Sequence, residues 1–316
     1  MTAEQKHLYK RCAKEDVTYD VIVAGGGPAG IGAALAAAVN GARTLILDAR
    51  SQFGGTATAA MWMEINFLFK DNRETPRGGV HDMLTDALRS WGEDASRPGH
   101  RSENAPGSGG NLNVHPEYLK KVLFDLFEEH GIDYQLYSPV VDAVKDGDRV
   151  TGVVVQAKEG RVTYRCKTAV DCTGDGDLAW HAGCEMATEG DEETGWRPCA
   201  TVAWALCNVD VERLYEWLAG DLELDRHQYK GFNELLGEYR EKGYNLPAWA
   251  GFNRTTIPGV VSINNGTSLW MELDMSRSET RTLLEKMAID QALEFVRFCR
   301  ENELPGLEDV YLMRTG

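Results

Sequence analysis

Residues 21–30 read VIVAGGGPAG, and no other stretch of the chain narrows its possible folds so far. A short apolar run, Tyr19–Ala24, leads into three successive glycines, and a proline and a string of small residues follow. The run has the composition of a buried strand. Pro28–Asn40 has that of a closely packed helix, with proline suited to its first turn. Arg43–Asp48 (RTLILD) is a second apolar strand, so a β-α-β unit is predicted within about 30 residues, the usual size of that motif. Gly25, Gly27 and Gly30 fall at G-x-G-x-x-G spacing between the first strand and the helix. Gly25 permits the tight turn, Gly27 lets backbone approach a pyrophosphate, and Gly30 lets helix and strand pack closely. The helix start at Pro28 and Ala29 offers the positive dipole end to phosphates, and the free N–H groups of its first turn from Ala29 onward. Asp48 closes the second strand at the distance where an acid accepts hydrogen bonds from a ribose diol. The pattern implies a dinucleotide site.

At 316 residues the chain is long enough for two lobes. Residues 1–18 read as an N-terminal extension without the apolar core of a secretory signal. Helical spacing recurs over Gly78–Trp91 and Pro116–His130. Between these lies SRPGHRSENAPGSGGN (96–111), expected to be a long, mobile loop. Short alternating runs at 139–145, 149–157 and 161–166, joined by KDGD and KEG, predict a β-meander, and a further strand is expected at 167–174. These segments place a Rossmann-type α/β domain over 19–193, with the meander inserted at about 139–166. A second, α+β, substrate-binding lobe is expected over 194–301. It would hold a strand at 199–207, helices near 210–218 and 231–241, strands near 256–263 and 268–274, and a helix at 276–301. Residues 302–316 are read as a strand returning to the first domain.

A formal charge of −16 argues against nucleic acid or an anionic membrane as partner, since both repel an acidic surface. The apolar stretch around Ile31–Val39 is too short to span a bilayer. Seven cysteines are scattered without a C-x-x-C pair, which suits free thiols in a reducing cytoplasm and offers no close-set metal ligands. The expectation is a cytoplasmic protein with a small-molecule substrate and no metal.

Three further stretches carry a resemblance: SQFGGTAT (51–58) with its Gly54–Gly55 doublet, the meander, and VDCTGDGDLAW (170–180) after it. With the G-G-G-P-A-G turn, the chain from Tyr19 onward resembles the FAD-dependent oxidoreductases of the glutathione-reductase-like flavoprotein class. The resemblance implies FAD as cofactor, with Gly25, Gly27 and Gly30 at its pyrophosphate and Asp48 at the adenosine ribose. It places Gly54, Gly55 and Thr56 along the pyrophosphate–ribityl side, and Thr173, Gly174 and Asp175 in a segment closing over the cofactor. Asp175 and Asp177 are equally suited to capping a helix start. In this class a C-terminal strand, loop and helix complete the flavin site. The chain stops at Gly316, where that segment would begin, so residues beyond 316, a homo-oligomer or a second subunit are expected to supply it.

The activity implied is hydride transfer between FAD and a small polar substrate, an alcohol or sugar-like hydroxyl. An NAD(P)H-dependent flavin reductase of a C=C or C=O substrate, and a non-catalytic FAD-binding subunit of a larger complex, are the alternatives. Proton transfer beside a flavin needs an acid–base group. His81 and His115, each at a predicted helix start, and Glu64, downstream of the glycine doublet, are the candidates, with Asn66 and Arg77 as possible substrate contacts. Cys172 is read as a core-filling thiol, and the lack of a close cysteine pair argues against a disulfide reductase.

Overall fold

The computed structural model describes residues 10–60, 63–69, 75–99, 110–187, 200–220, 224–225, 228–269 and 274–316. In chain order the elements are β1 (Thr18–Ala24), α1 (Pro28–Val39), β2 (Thr44–Leu47), β3 (Glu64–Phe69), α2 (Val80–Arg89), β4 (Ser96–Pro98) and β5 (Gly110–Val114). Next come α3 (Pro116–Glu129), β6 (Asp133–Gln135), β7 (Val140–Asp146), β8 (Arg149–Ala157), β9 (Gly160–Asp171) and α4 (Asp177–Ala182). The remainder is β10 (Ala200–Cys207), α5 (Val211–Gly220), β11 (Leu224–Asp225), β12 (Gln228–Tyr229), α6 (Lys230–Glu241), β13 (Gly251–Arg254), β14 (Val261–Leu269), α7 (Ser278–Glu301) and β15 (Tyr311–Thr315). Two units emerge. The first comprises Met1–Thr58, Gly78–Ser90 and Glu117–Thr188, the second Ala59–Arg77, Trp91–Pro116 and Glu189–Gly316.

The first unit holds a six-stranded sheet in the order β6-β2-β1-β9-β8-β7. β6, β2, β1 and β9 run parallel, and β9, β8 and β7 form the antiparallel meander. Ile22, Val23, Leu45, Ile46 and Leu47 are fully buried, each contributing about 1.5–3 kcal/mol of apolar burial. Such continuous apolar runs are what strands covered on both faces require. α1 buries Gly30, Ile31, Ala34 and Leu35, so its buried face is made largely of small side chains. The two strands expected at 161–166 and 167–174 are one strand, β9, because no turn residue separates Cys166 from Lys167. Its first half pairs with β8 and its second half with β1.

The second unit contains a three-stranded antiparallel sheet, β3-β5-β4, a four-stranded one, β13-β14-β10-β15, and the two-stranded β11-β12. Its core gathers Trp204, Phe232, Phe252, Phe295 and Phe298, with Phe232 and Phe252 rings 5.2 Å apart and Trp204 and Phe295 5.7 Å apart. Edge-on and tilted aromatic pairs of this kind add about 0.5–1.5 kcal/mol each beyond the area they bury.

Several expectations are corrected here. The second unit draws on 59–77 and 91–116 as well as on the region after 189. The ends of the loop expected over 96–111 are strands: β4 pairs with β5, and 100–109 lie outside the described residues. The strand expected at 256–263 was read across a turn. Val260 N–H donates to Ile257 O, Gly259 holds φ +68° between them, and the strands fall on either side as β13 and β14. β14 runs to Leu269, while 270–273 lie outside the described residues. The closing strand, expected to return to the first domain, pairs instead with β10. β1 and β9 already have two neighbours each, whereas β10 offers an edge.

Candidate functional site

The turn from β1 into α1 is held by main chain. Gly25 has φ +101° and donates its N–H to Leu47 O at 2.8 Å; a Cβ there would stand 2.0 Å from Cys172 O. A Cβ on Gly30 would stand 1.8 Å from Gly25 O, which is how closely helix and turn approach. Gly26 donates to Asp48 Oδ2 at 2.6 Å and lies against the Phe53 ring. Gly27 differs from all three: a Cβ there would meet nothing nearer than Gly55 Cα at 3.9 Å. It is the N-cap of α1, with no side-chain capping bond, Pro28 next, and no acid in the first turn. The positive end of the helix dipole is therefore not neutralised by its own residues.

These residues border a cavity of about 310 Å³ lined by Gly25, Gly27–Ala29, Leu47–Arg50, Gly55, Thr56, Ser138–Val140, Cys172–Gly174 and Asp177. Asp48, 9% exposed, accepts Gly26 N–H on Oδ2 and Arg50 N–H on Oδ1 (2.7 Å). A carboxylate offers about four acceptor positions, so capacity remains toward the cavity. The segment 51–58 enters through Gly54, whose N–H donates to Gly26 O at 2.9 Å and whose φ is +110°. Gly55 packs against Gly27, backbone on backbone.

The 172–177 segment is organised by Asp171, at the end of β9. Its Oδ1 accepts both Thr173 N–H (2.9 Å) and Thr173 Oγ1 (2.8 Å), and its Oδ2 accepts Ala179 N–H (2.8 Å). Thr173 Oγ1 in turn accepts Asp177 N–H at 2.8 Å. The capping expected of Asp175 and Asp177 thus belongs to Thr173: Asp177 is already helical, and the N-cap is Gly176, without a side-chain capping bond. Burial first, and the Asp171 carboxylate second, push the Cys172 thiol above its ordinary value, so it stays protonated and a poor nucleophile near neutral pH.

Of the residues singled out in the sequence, Gly25, Gly27, Pro28, Ala29, Asp48, Gly55, Thr56, Thr173 and Gly174 line this one cavity. Gly30, Gly54 and Asp175 do not, and the first two hold the backbone behind it. The sequence reading missed Arg50, the single basic side chain of the lining, and Ser138, brought in because β6 pairs with β2 and delivers the chain beside Asp48. Ser138 N–H donates to Asp48 O at 2.8 Å. Asp171 was missed as well. An acid directly before C-T-G-D-G-D was the signal available for it.

None of the three acid–base candidates lines this cavity. His81 is exposed on the first turn of α2. His115 is half-buried, with its backbone N–H donated to Ala95 O at 2.9 Å. Glu64 is buried in β3 and accepts Asn111 Nδ2 at 2.9 Å. Asn66 lies in β3 and Arg77 just before α2. Among the described residues no cluster of three or more His, Cys, Asp or Glu could hold a metal, and no helix is long and apolar enough to cross a membrane.

A parallel β-α-β unit, a glycine turn at an uncapped helix start and an acid closing the second strand define a Rossmann-type dinucleotide-binding protein. The chain matches the FAD dependent oxidoreductase family over residues 20–316 and belongs to it. FAD is the cofactor of that family. The donor set fits this group: the cavity is open where Cβ atoms are absent at Gly27 and Gly174, and it is bounded by an uncapped helix N-terminus and a carboxylate.

Among curated proteins the chain is 28% identical over 207 residues to the digeranylgeranylglycerophospholipid reductase of Picrophilus torridus, covering 63% of this chain and 49% of that protein. It is 26% identical over 199 residues to the protein of the same name from Thermoplasma volcanium, again covering 63% and 49%. The chain thus spans about half the length of the curated relatives it matches. Of solved structures, a geranylgeranyl bacteriochlorophyll reductase-like protein from Thermoplasma acidophilum aligns with a TM-score of 0.54 at 21% identity, covering 95% of this chain and 66% of that one. A myxobacterial chondrochloren halogenase, described as a variant of FAD-dependent halogenases, aligns at 0.55 and 15%, covering 95% and 62%. At these identities the likeness is one of fold.

Proposed function

We propose that the protein is a flavin-dependent reductase of carbon–carbon double bonds in an isoprenoid-type substrate. One observation carries this reading: its relatives from Picrophilus and Thermoplasma are named digeranylgeranylglycerophospholipid reductases. They favour the flavin-reductase alternative over the alcohol or sugar-like substrate expected first.

In this proposal the first unit does the holding. The N-terminus of α1 and the open backbone at Gly27 and Gly174 receive the pyrophosphate. Asp48 accepts from the adenosine ribose while its existing bonds to Gly26 and Arg50 fix its orientation. Asp171 fixes the Thr173–Gly174 turn in the shape that leaves the cavity open. Bound FAD supplies two-electron hydride transfer. Cys172, held as a thiol, adds no competing nucleophile beside it.

The test is anaerobic. Protein reconstituted with FAD and reduced with dithionite is mixed with a geranylgeranyl ether lipid. Recovery of the oxidised flavin spectrum, with two hydrogens gained by the lipid per double bond consumed and no reaction of the saturated lipid, is the expected result. Bleaching of the oxidised protein by simple alcohols or sugars, with no reaction of the unsaturated lipid, overturns the proposal and restores the alcohol reading.

A further inference from the structure

The second unit holds a pocket that the flavin reading does not use. The register of the small sheet sets Arg97, Asn113 and Glu64 side by side across β4, β5 and β3. Asn111 stands two residues from Asn113 on the same face. Glu64, Asn111 and Asn113 are all buried, at 8%, 5% and 4% exposure. A buried polar sheet face is costly unless every group on it finds a partner. Asn111 and Glu64 satisfy one another. Asn113 Oδ1 has no hydrogen-bond partner within the protein.

Asn113 lines a pocket of about 270 Å³ together with Arg97, Pro98, the first turn of α5 and residues 254–260. Thr256, 3% exposed, lines the same pocket, and its Oγ1 likewise has no partner within the protein. The neighbouring Thr255 is fully used: its hydroxyl donates toward Ile257 O and Val260 O and accepts Ile257 N–H. Two side-chain oxygens from segments more than 100 residues apart in sequence are therefore left over at one place. Arg254 is fixed beside them, paired through both terminal nitrogens with Glu212 and stacked 4.3 Å over the Tyr215 ring. Arg97 brings a second guanidinium, whose Nε donates to Glu93 O at 3.1 Å and lies 4.0 Å from the Glu93 carboxylate.

The lining thus has two arginines against one glutamate, in a chain whose net charge is −16. A cation is disfavoured by this charge, and an apolar ligand would leave two buried polar atoms unpaired. An acceptor at Asn113 and a hydroxyl at Thr256 call for a ligand that carries a hydroxyl as well as negative charge.

We propose that this pocket binds a small hydroxyl-bearing oxyanion, a carboxylate or phosphate group. Asn113 and Thr256 take its hydroxyl and one oxygen, and Arg97 supplies the charge. The proposal does not depend on which bond the flavin reduces.

The test uses protein saturated with FAD, so that the pyrophosphate cradle is filled. Glycolate and inorganic phosphate are titrated separately, read by melting temperature and by calorimetry. Saturable binding of one of them is expected, and which one binds identifies the oxyanion. Thr256→Val removes the hydroxyl at nearly constant shape and Arg97→Gln removes the charge. Each is expected to weaken binding by about tenfold or more, as losing a hydrogen bond to a charged group does. Arg97 is 44% exposed in its side chain, so its variant reports even if Thr256→Val does not fold. No saturable binding of either probe overturns the proposal, and so does binding that survives in the variants, which would mark an adventitious ion site elsewhere.

Discussion

In the first unit the cavity wall is main chain; in the second the pocket wall is side chain. Gly25, Gly27, Gly30 and Gly55 bring backbone within reach of backbone, and three of the four have no room for a Cβ. Around Asn113 and Thr256 the sheet and turn are ordinary, and the chemistry comes from what the side chains leave unpaired. A main-chain wall tolerates almost no substitution and recognises what many ligands share, a pyrophosphate. A side-chain wall can be exchanged residue by residue, and ligand choice is written there.

The sharpest way to break this contrast is to put a Cβ on the glycines. Gly25→Ala combines a left-handed φ, about 1–2 kcal/mol, with a backbone overlap that no rotamer relieves, about 1–3 kcal/mol. A loss of roughly 2–5 kcal/mol in urea unfolding is expected, with flavin content falling alongside. Gly27→Ala should separate the two effects. With its nearest neighbour at 3.9 Å, it should leave stability within about 0.5 kcal/mol of the parent while weakening FAD binding about tenfold to a hundredfold by fluorescence titration. Equal destabilisation by the two substitutions would show that the turn has no open position.

A pH series sharpens the comparison from the side of the first unit's core. Burial pushes Tyr164 up to about 12 and Tyr19 higher still, in each case as the largest cause. A tyrosine raised in the folded state binds its proton after the unfolded chain has lost it at about 10. The stability it contributes is therefore complete below pH 10 and declines as pH rises toward the folded value. By pH 11 the loss should reach roughly 1 kcal/mol for each tyrosine, and Tyr164→Phe should flatten its share of the slope in denaturant midpoints. Smallest is Thr173→Val, which removes the hydroxyl between Asp171 and the Asp177 N–H. About 1 kcal/mol is expected, with faster amide exchange at Asp177 as the local signature.

The first unit was legible because its signals are local. Strand, glycine turn, helix and Asp48 lie within one short stretch, and the meander announces itself by alternation and turn residues. The second unit was read less well for a physical reason. β5, as GNLNV, alternates asparagine with apolar residues and so reads as loop until the burial of Asn111 and Asn113 shows otherwise. Strand periodicity also ran on through Ile257–Val260, where Pro258 and Gly259 turn the chain. Pairing partners were not legible either: β15 has the pattern of a strand, and only the free edge of β10 decides where it goes. Asp171 went unnoticed because its work is done on main-chain N–H groups up to eight residues away.

The interleaving of the two units has a consequence for how the chain is made. β3, β4 and β5 are synthesised before residue 116, whereas the helices and the larger sheet of their unit begin only at Ala200. At roughly 5–20 residues per second, on the order of 4–17 s pass on the ribosome before β10 begins to appear. Throughout that interval a short-stranded sheet waits for the core it will join, while the strands of the first unit complete theirs at Asp171. Glu64, Asn111 and Asn113 are residues that water tolerates well, whereas the apolar residues of β3 (EINFLF) make the segment that waits longest one that needs its later partners.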